Sequence, residues 1–428
     1  MKTKLLIFGI TGDLSTRKLL PALKRIVGTG GFDDLSIIGV SRHQVNILEL
    51  LTGSLGDDSL ADRVSIFTMN LAEESDYEKL REHIALEDDE QLIVYLSVPP
   101  NAATQIVDFM GEAGINSPNV KLLFEKPFGV DLQSATDVIA RTARYYKEDQ
   151  IYRIDHYLAK EMAQNIVTFR RSNAIFGHLW HSSAIEKVEV MALEKIGIEG
   201  RIQFFEQTGA LRDVLQGHLM QLLALTLLDI PDVFEWTDLP ARRLAALNQL
   251  QPADPSRAFR AQYDTYKAEA EAPSSLTETF VSVELESLAP RWRGVPMHLV
   301  TGKALHEKTT EVRIHFKKFH EGQSNCLIFR IQPNEGVEIQ LFTKKPGYDR
   351  QLEPQLLNFT YPTDVVLPDA YEQVIVDAIN SRKSLFTSSD EVLRSWQILK
   401  PIQDAWMMDN EALPTYQTGS TVDAVAGR

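Results

Sequence analysis

A chain of 428 residues exceeds what one ordinary hydrophobic core organises, so two domains are expected. With 44% hydrophobic and 24% charged residues it has the balance of a globular enzyme, and its net charge of −15 argues against nucleic acid or an anionic membrane as a general partner. Any anionic ligand must therefore be held by a local cluster of cations. The single cysteine, Cys326, cannot form an intrachain disulfide, which suits a reducing cytoplasm; beside Leu327 and Ile328 it reads as buried filler. No signal peptide is expected, because the apolar stretch after Met1-Lys2-Thr3-Lys4 ends at once in glycine.

Residues 4–8 read as a buried parallel strand. They run into Gly9-Ile10-Thr11-Gly12-Asp13-Leu14 and then a helix with Leu19, Leu20, Leu23 and Ile26 on one face. Strand, glycine turn and helix open a dinucleotide-binding fold, whose helix N-terminus presents free N–H groups to a pyrophosphate. The spacing is Gly-x-x-Gly rather than the usual Gly-x-Gly-x-x-Gly. A second strand at 36–40 ends in Ser41-Arg42-His43. A free ribose 2′-hydroxyl usually meets an acid at this place and a 2′-phosphate an arginine, so Arg42 favours NADP, with NAD as a secondary cofactor. Strands at 64–68, 92–98 and 120–124 follow, the last running into Glu125-Lys126-Pro127-Phe128-Gly129. A lysine at the carboxyl end of a parallel strand points into the crevice where ligands bind.

After Asp155 the strand–helix alternation fades. Residues 156–168 read as a helix. Segments 188–193, 280–285, 297–300, 312–316, 327–332 and 337–342 read as strands with alternating faces, which predicts a large antiparallel sheet. The apolar stretch 219–228 reads as a core helix, too short to span a bilayer. Residues 369–406 return to helix, with Tyr371, Val374, Ile375, Ala378 and Ile379 facing the core. The expected architecture is a Rossmann-type α/β dinucleotide-binding domain over 1–155 and a larger α+β domain on a mostly antiparallel sheet over 156–428.

Two distant segments carry the chemistry. One is Tyr152-Arg153-Ile154-Asp155-His156-Tyr157-Leu158-Ala159-Lys160-Glu161; the other is Gly209-Ala210-Leu211-Arg212-Asp213-Val214-Leu215-Gln216-Gly217-His218. Imidazole titrates near neutrality, so His218 can take a hydroxyl proton while hydride leaves the same carbon. A carboxylate that fixes the imidazole tautomer and stabilises the imidazolium completes such a pair. Both segments closely resemble the signature of glucose-6-phosphate dehydrogenases. So does Thr-Gly-Asp-Leu-x-x-x-Lys-Leu-x-Pro-Ala-Leu at 11–23, and the resemblance runs through nearly the whole chain.

The resemblance implies NADP-dependent oxidation of D-glucose 6-phosphate to 6-phospho-D-glucono-1,5-lactone, the entry step of the oxidative pentose phosphate pathway. It implies no metal, and a homodimer or homotetramer built on the second domain's sheet. By this likeness Asp155 orients His218, the two forming the catalytic pair. His156, Tyr157 and Lys160 fall in the phosphate pocket, with His156 and Lys160 sharing a face if the segment is helical. Glu194 and Asp213 match acceptors for sugar hydroxyls, and Lys303, Lys308 and Gln332 match residues near the substrate. Lys126 matches the lysine that reaches both substrate and nicotinamide. The cofactor loop comprises Gly9, Ile10, Thr11, Gly12, Asp13, Leu14 and Ser15, with Lys18 close by. Asn70 and Leu71 stand where the family has an Asp-Val pair touching the cofactor. The chain departs from the family at Val300, where an arginine usually precedes Thr-Gly-Lys, and at Gly217, where an asparagine usually precedes the histidine. Those departures keep two alternatives in view: a dehydrogenase for another phosphorylated sugar, and a weakly catalytic or regulatory paralogue.

Overall fold

Apolar runs buried on both sides build the first sheet. The computed structural model describes residues 2–318, 323–362 and 364–427. Its parallel strands are β1 (Lys2–Phe8), β2 (Leu35–Ser41), β3 (Val64–Thr68), β4 (Glu90–Leu96), β5 (Val120–Phe124) and β6 (Ile151–Ile154). They lie in the order β6-β5-β4-β1-β2-β3, the doubly wound arrangement with its reversal between β1 and β4. Alternate residues of one strand go to opposite layers. Leu5, Ile7, Ile93, Tyr95 and Leu123 meet Leu20, Leu23, Val374 and Ile375 on one face. Leu6, Phe8, Val94, Leu96 and Leu122 meet Tyr77, Leu80, Ile106 and Met110 on the other.

The chain forms two compact units, and it does not finish the first in one pass. That unit comprises the stretch up to Ala159, Trp236–Pro240 and Pro368–Val392; the second comprises Lys160–Glu235, Ala241–Leu367 and the stretch from Leu393. Two lysines pin the late segment. Lys121 on β5 is 8% exposed, and its ammonium donates to Gln91 Oε1 at 2.7 Å, the Ala378 carbonyl at 2.6 Å and Ser381 Oγ at 2.7 Å. Lys383 donates to the carbonyls of Glu148 and Ile151 at 2.6 and 2.5 Å, with its ammonium 4.2 Å from the Tyr152 ring centre. The helical stretch expected at 369–406 is two helices, Ala370–Ile379 and Ser389–Met408. Ser381, with a φ of 57°, ends the first, and Phe386–Thr387 then pairs antiparallel with β6.

The second unit holds strands β7 (Ile185–Leu193), β8 (Ala258–Tyr263), β9 (Phe280–Leu285), β10 (Met297–Gly302), β11 (Thr309–Phe316), β12 (Cys326–Gln332), β13 (Gly336–Lys344) and β14 (Leu352–Thr360). They order as β14-β13-β12-β11-β7-β10-β9-β8, with Thr415–Tyr416 beside β8. Pairing is antiparallel except between β7 and β10 and between β8 and Thr415–Tyr416. The mixed but mostly antiparallel sheet agrees with the expected class. Sequence periodicity did not reveal β8 or β14. β14 is an edge strand with Pro354 inside it and Leu352, Leu356, Leu357 and Phe359 about half exposed, so it lacks a clean alternation.

Helix Glu161–Ser172 packs on β12 and on helix Met220–Leu227. Arg170 fastens the two helices together. It is 6% exposed, stacks 4.9 Å from the Trp180 ring centre, and donates to the carbonyls of Leu225, Thr226 and Leu228 at 3.1, 3.0 and 2.8 Å. Those carbonyls belong to the helix end, which has no intrahelical donors left for them. Burial pulls the guanidinium down to about 9. Arg170→Met leaves the Leu225 and Leu228 carbonyls bare, the Thr226 carbonyl keeping the Trp180 indole N–H at 2.8 Å, and the expected result is a melting temperature lower by roughly 5–10 °C in calorimetry. An unchanged transition would show that water replaces the guanidinium.

Among the described residues, no helix is long and apolar enough to cross a membrane, and no group of three or more His, Cys, Asp or Glu side chains could hold a metal ion. Cys326 is buried, and burial pushes its thiol up to about 11.

Candidate active site

The turn after β1 brings backbone into close contact with backbone. Gly9 has a φ of 81°, in the left-handed region, and a Cβ there would lie 2.3 Å from the Ser97 carbonyl oxygen. The Gly12 N–H and the buried Ser15 hydroxyl both donate to the Gly9 carbonyl, at 2.9 and 2.8 Å. π-Helical Ser15–Leu19 then runs into helix Leu20–Gly28. Ile10 is a core residue and Leu14 packs partly against the same core, so both offer backbone rather than side chain to a ligand. Thr11 and Asp13 are exposed, Asp13 pairing with Arg17 at 2.7 Å. Lys18 pairs with Asp369 at 3.4 Å. Arg42, just past β2, is exposed and makes no hydrogen bond or ion pair among the described residues. Asn70 Oδ1 accepts the Ala72 N–H at 3.1 Å, and Leu71 is partly buried against the core. A tight glycine turn, a helix start and an unengaged arginine beyond the second strand fit a dinucleotide phosphate.

The ends of β5 and β6 carry the next group. Asp155 is 1% exposed; its Oδ1 accepts the Tyr157 N–H and its carbonyl the Leu158 N–H, both at 3.0 Å. An aspartate bonded to the backbone two residues on competes with helix formation. The helix expected from 156 therefore starts at Glu161, and 156–160 form turns. His156 and Lys160 consequently do not share a helical face: Lys160 is the extended residue that precedes the helix, with ψ of 136°. The His156 and Tyr157 rings lie 5.0 Å apart, with His156 half-buried and Tyr157 buried. Lys126 is half-buried.

Glu125 was legible only as part of Glu-Lys-Pro, and its own role was missed. Tyr95 on β4 donates its hydroxyl to the Glu125 carboxylate. Burial pushes the carboxyl up to about 7; the Asp155 charge adds to this, while Tyr95 and Lys126 oppose it. The fold thus favours the neutral acid, whose ordinary value is 4.5. As pH rises from 4.5 through 7 the unfolded chain ionises first, so this group weighs against folding over that window. Glu125→Gln is expected to remove that part of the pH dependence of the melting temperature. An identical profile in the variant would discard the assignment.

In the second unit, strand register gathers the candidates at one end of the central strands. Leu193 on β7 pairs with Gly302 on β10 and with Thr309 on β11, and Thr310 pairs with Gln332 on β12. Glu194, Lys303, Lys308 and Gln332 therefore leave four neighbouring strands at the same end. Lys303, buried, forms an ion pair with Glu194, and its ammonium lies 5.3 Å from the Phe205 ring centre. Gln332 Nε2 donates to Thr310 Oγ1 at 3.3 Å. Lys308 is exposed and makes no ion pair among the described residues. Lys160 pairs with Glu335 at 3.9 Å, and Glu335 Oε2 also accepts the Met162 N–H at 3.3 Å, so this acid of Pro-Asn-Glu holds Lys160 at the start of helix Glu161–Ser172. Val300 is buried within β10, paired with Ser282 and Met191.

Asp213 and His218 lie on one π-helical segment, Leu211–Leu219, that continues as Met220–Leu227 and packs against β7 and β10. Five residues apart, they are about one π-helical turn from each other. His218 is buried and Asp213 half-buried. A regular helix period at 219–228 did not anticipate the wider segment before it.

The first unit defines a nicotinamide dinucleotide-binding oxidoreductase fold. Family models for the glucose-6-phosphate dehydrogenase NAD binding domain and C-terminal domain match residues 6–165 and 167–427. The chain belongs to the glucose-6-phosphate dehydrogenase family. It is 34% identical to the glucose-6-phosphate 1-dehydrogenase of Chlamydia muridarum, over 97% of this chain and 92% of that one. A solved glucose-6-phosphate dehydrogenase in complex with its substrate glucose-6-phosphate has a TM-score of 0.92 at 29% identity, covering 100% of this chain and 96% of the other. The Mycobacterium avium glucose-6-phosphate 1-dehydrogenase has a TM-score of 0.88 at 30% identity, with the same two coverages.

Proposed function

We infer that this protein oxidises D-glucose 6-phosphate to 6-phospho-D-glucono-1,5-lactone with NADP, the first step of the oxidative pentose phosphate pathway. The convergence of Glu194, Lys303, Lys308 and Gln332 at one end of four neighbouring strands carries the reading, together with membership of the family. Residues 1–155, completed by the later stretch 368–392 that covers their sheet, are assigned to the cofactor, and the remainder of 156–428 to substrate binding and self-association. The half-exposed apolar residues Leu341, Leu352, Leu356, Leu357 and Phe359 on β13 and β14 support a homodimer or homotetramer. The single buried cysteine supports a cytoplasmic setting.

Lys160, His156 and Tyr157 hold the phosphate dianion, where charge-assisted bonds are strongest. Glu194 and Asp213 accept sugar hydroxyls, with Lys303 fixed beside Glu194. His218 accepts the C1 hydroxyl proton, and Asp155 holds its tautomer and stabilises the imidazolium. Gly9–Leu14, Ser15, Lys18, Asn70 and Leu71 bind the dinucleotide, Arg42 takes its 2′-phosphate, and Lys126 spans substrate and cofactor. When bound, the nicotinamide supplies the acceptor for the hydride that leaves C1. The regulatory-paralogue alternative is not favoured, since both the histidine and its carboxylate partner are present.

The test is the near-ultraviolet absorbance of reduced nicotinamide, with purified protein, glucose 6-phosphate, and NADP or NAD in parallel. Rapid NADPH formation is expected. Silence with NADP binding confirmed, or turnover of a different sugar phosphate alone, would overturn the reading.

A further inference from the structure

The loop before β9 reaches the segment that carries Asp213 and His218. Glu278 is 5% exposed, and its Oε1 accepts the Leu211 N–H at 3.0 Å. Its own carbonyl accepts the Ala210 N–H at 2.9 Å. The side chain lies against Gly209, where an added Cβ would sit 2.4 Å from Oε1, so a side chain at 209 and this carboxylate exclude each other. Gly209 also has a φ of 62° and ψ of 177°, which breaks the preceding helix and turns the chain toward Glu278. The next residue extends the connection. The Thr279 carbonyl accepts the Lys303 N–H at 2.9 Å, and Tyr416 bridges Thr279 Oγ1 and the Lys303 carbonyl at 2.9 and 2.7 Å.

We propose that Glu278 is a positioning residue for the oxidation: it fixes where the π-helical segment begins, and so where Asp213 and His218 are presented, while Thr279 sets Lys303 by the same loop. A carboxylate suits this place because the first N–H groups of a helix lack intrahelical partners and carry positive charge. Gly209 is the complementary element, leaving the room the carboxylate occupies. Burial pushes the Glu278 carboxyl up, and the Leu211 N–H and the charges of Arg212 and Arg260 oppose this.

The readout in turnover rests on the proposed oxidation, so the experiment pairs it with one that does not. Kinetics would be measured for the full chain, His218→Asn, Glu278→Ala and Glu278→Gln, alongside hydrogen–deuterium exchange of 209–219 without substrate. For Glu278→Ala we expect kcat to fall about tenfold or more and the KM for glucose 6-phosphate to rise, with the KM for NADP unchanged. Exchange should accelerate within 209–219. Glu278→Gln keeps an oxygen for the Leu211 N–H and should recover most of the rate. Wild-type kinetics in folded Glu278→Ala, an equal rise in both KM values, or unaltered exchange would each overturn the proposal. If Glu278→Ala does not fold, Glu278→Asp withdraws the carboxylate by one methylene and must show the same split. An unsubstituted chain silent toward glucose 6-phosphate would instead defeat the functional reading, and an active His218→Asn only the base assignment; in either case the exchange result still judges Glu278.

Discussion

His218→Asn is expected to lower kcat by about 10²- to 10⁴-fold, the range a positioned general base contributes, while the dissociation constant for glucose 6-phosphate changes little. Asparagine approximates the shape of the ring but cannot accept and hold the proton. The buried setting of His218 on Leu211–Leu219 means that a substitution of similar size need not disturb the packing against β7 and β10. Steady-state rates with separately measured substrate affinity decide the matter. A variant with near-wild-type kcat would remove His218 from the proton transfer, and a large loss of affinity with intact kcat would make it a binding residue.

Arg42→Asp is expected to raise the KM for NADP about 100-fold and to move that for NAD by no more than about threefold. A charge-assisted bond contributes about 1.5–3 kcal/mol, and the new carboxylate adds repulsion toward a 2′-phosphate. The position supports this reading: Arg42 follows β2, is exposed, and has no partner among the described residues that a phosphate would have to displace. Because the site is exposed, the discrimination should weaken as salt rises. Equal effects on both cofactors would take Arg42 out of 2′-phosphate recognition.

The legible parts of the chain were those governed by local pattern. β1, β2, β4 and β5 are buried on both faces and read as apolar runs, and the glycine turn after β1 announces itself by residue type. β6, only Ile151–Ile154 and carrying Arg153, is too short and too polar for the same inference. The helix start was misplaced because the Asp155 side chain outcompetes the backbone, an event no apolar period records. Glu125 and Glu278 were invisible for a different reason. Their partners, Tyr95 and Leu211, lie 30 and 67 residues away, and only the fold brings them within hydrogen-bond distance. The motif residues were recognisable from local spacing, whereas the pairing of Glu125 with Tyr95 and of Glu278 with Leu211 was not.

Helix Ala370–Ile379 closes one flank of the nucleotide sheet with Val374, Ile375 and Ala378, although the six parallel strands of that sheet are encoded before Ala159. The nucleotide-binding half is therefore no detachable cassette. A fragment cut between the two family regions would leave Leu5, Ile7, Ile93 and Leu123 with only part of their cover, that from Leu20 and Leu23. During synthesis that face of the sheet stays partly uncovered until residues 370–379 have emerged from the ribosome. A chain cut short by a premature stop before residue 370 would therefore lack part of the core of its first unit, although the missing residues lie far downstream of that sheet.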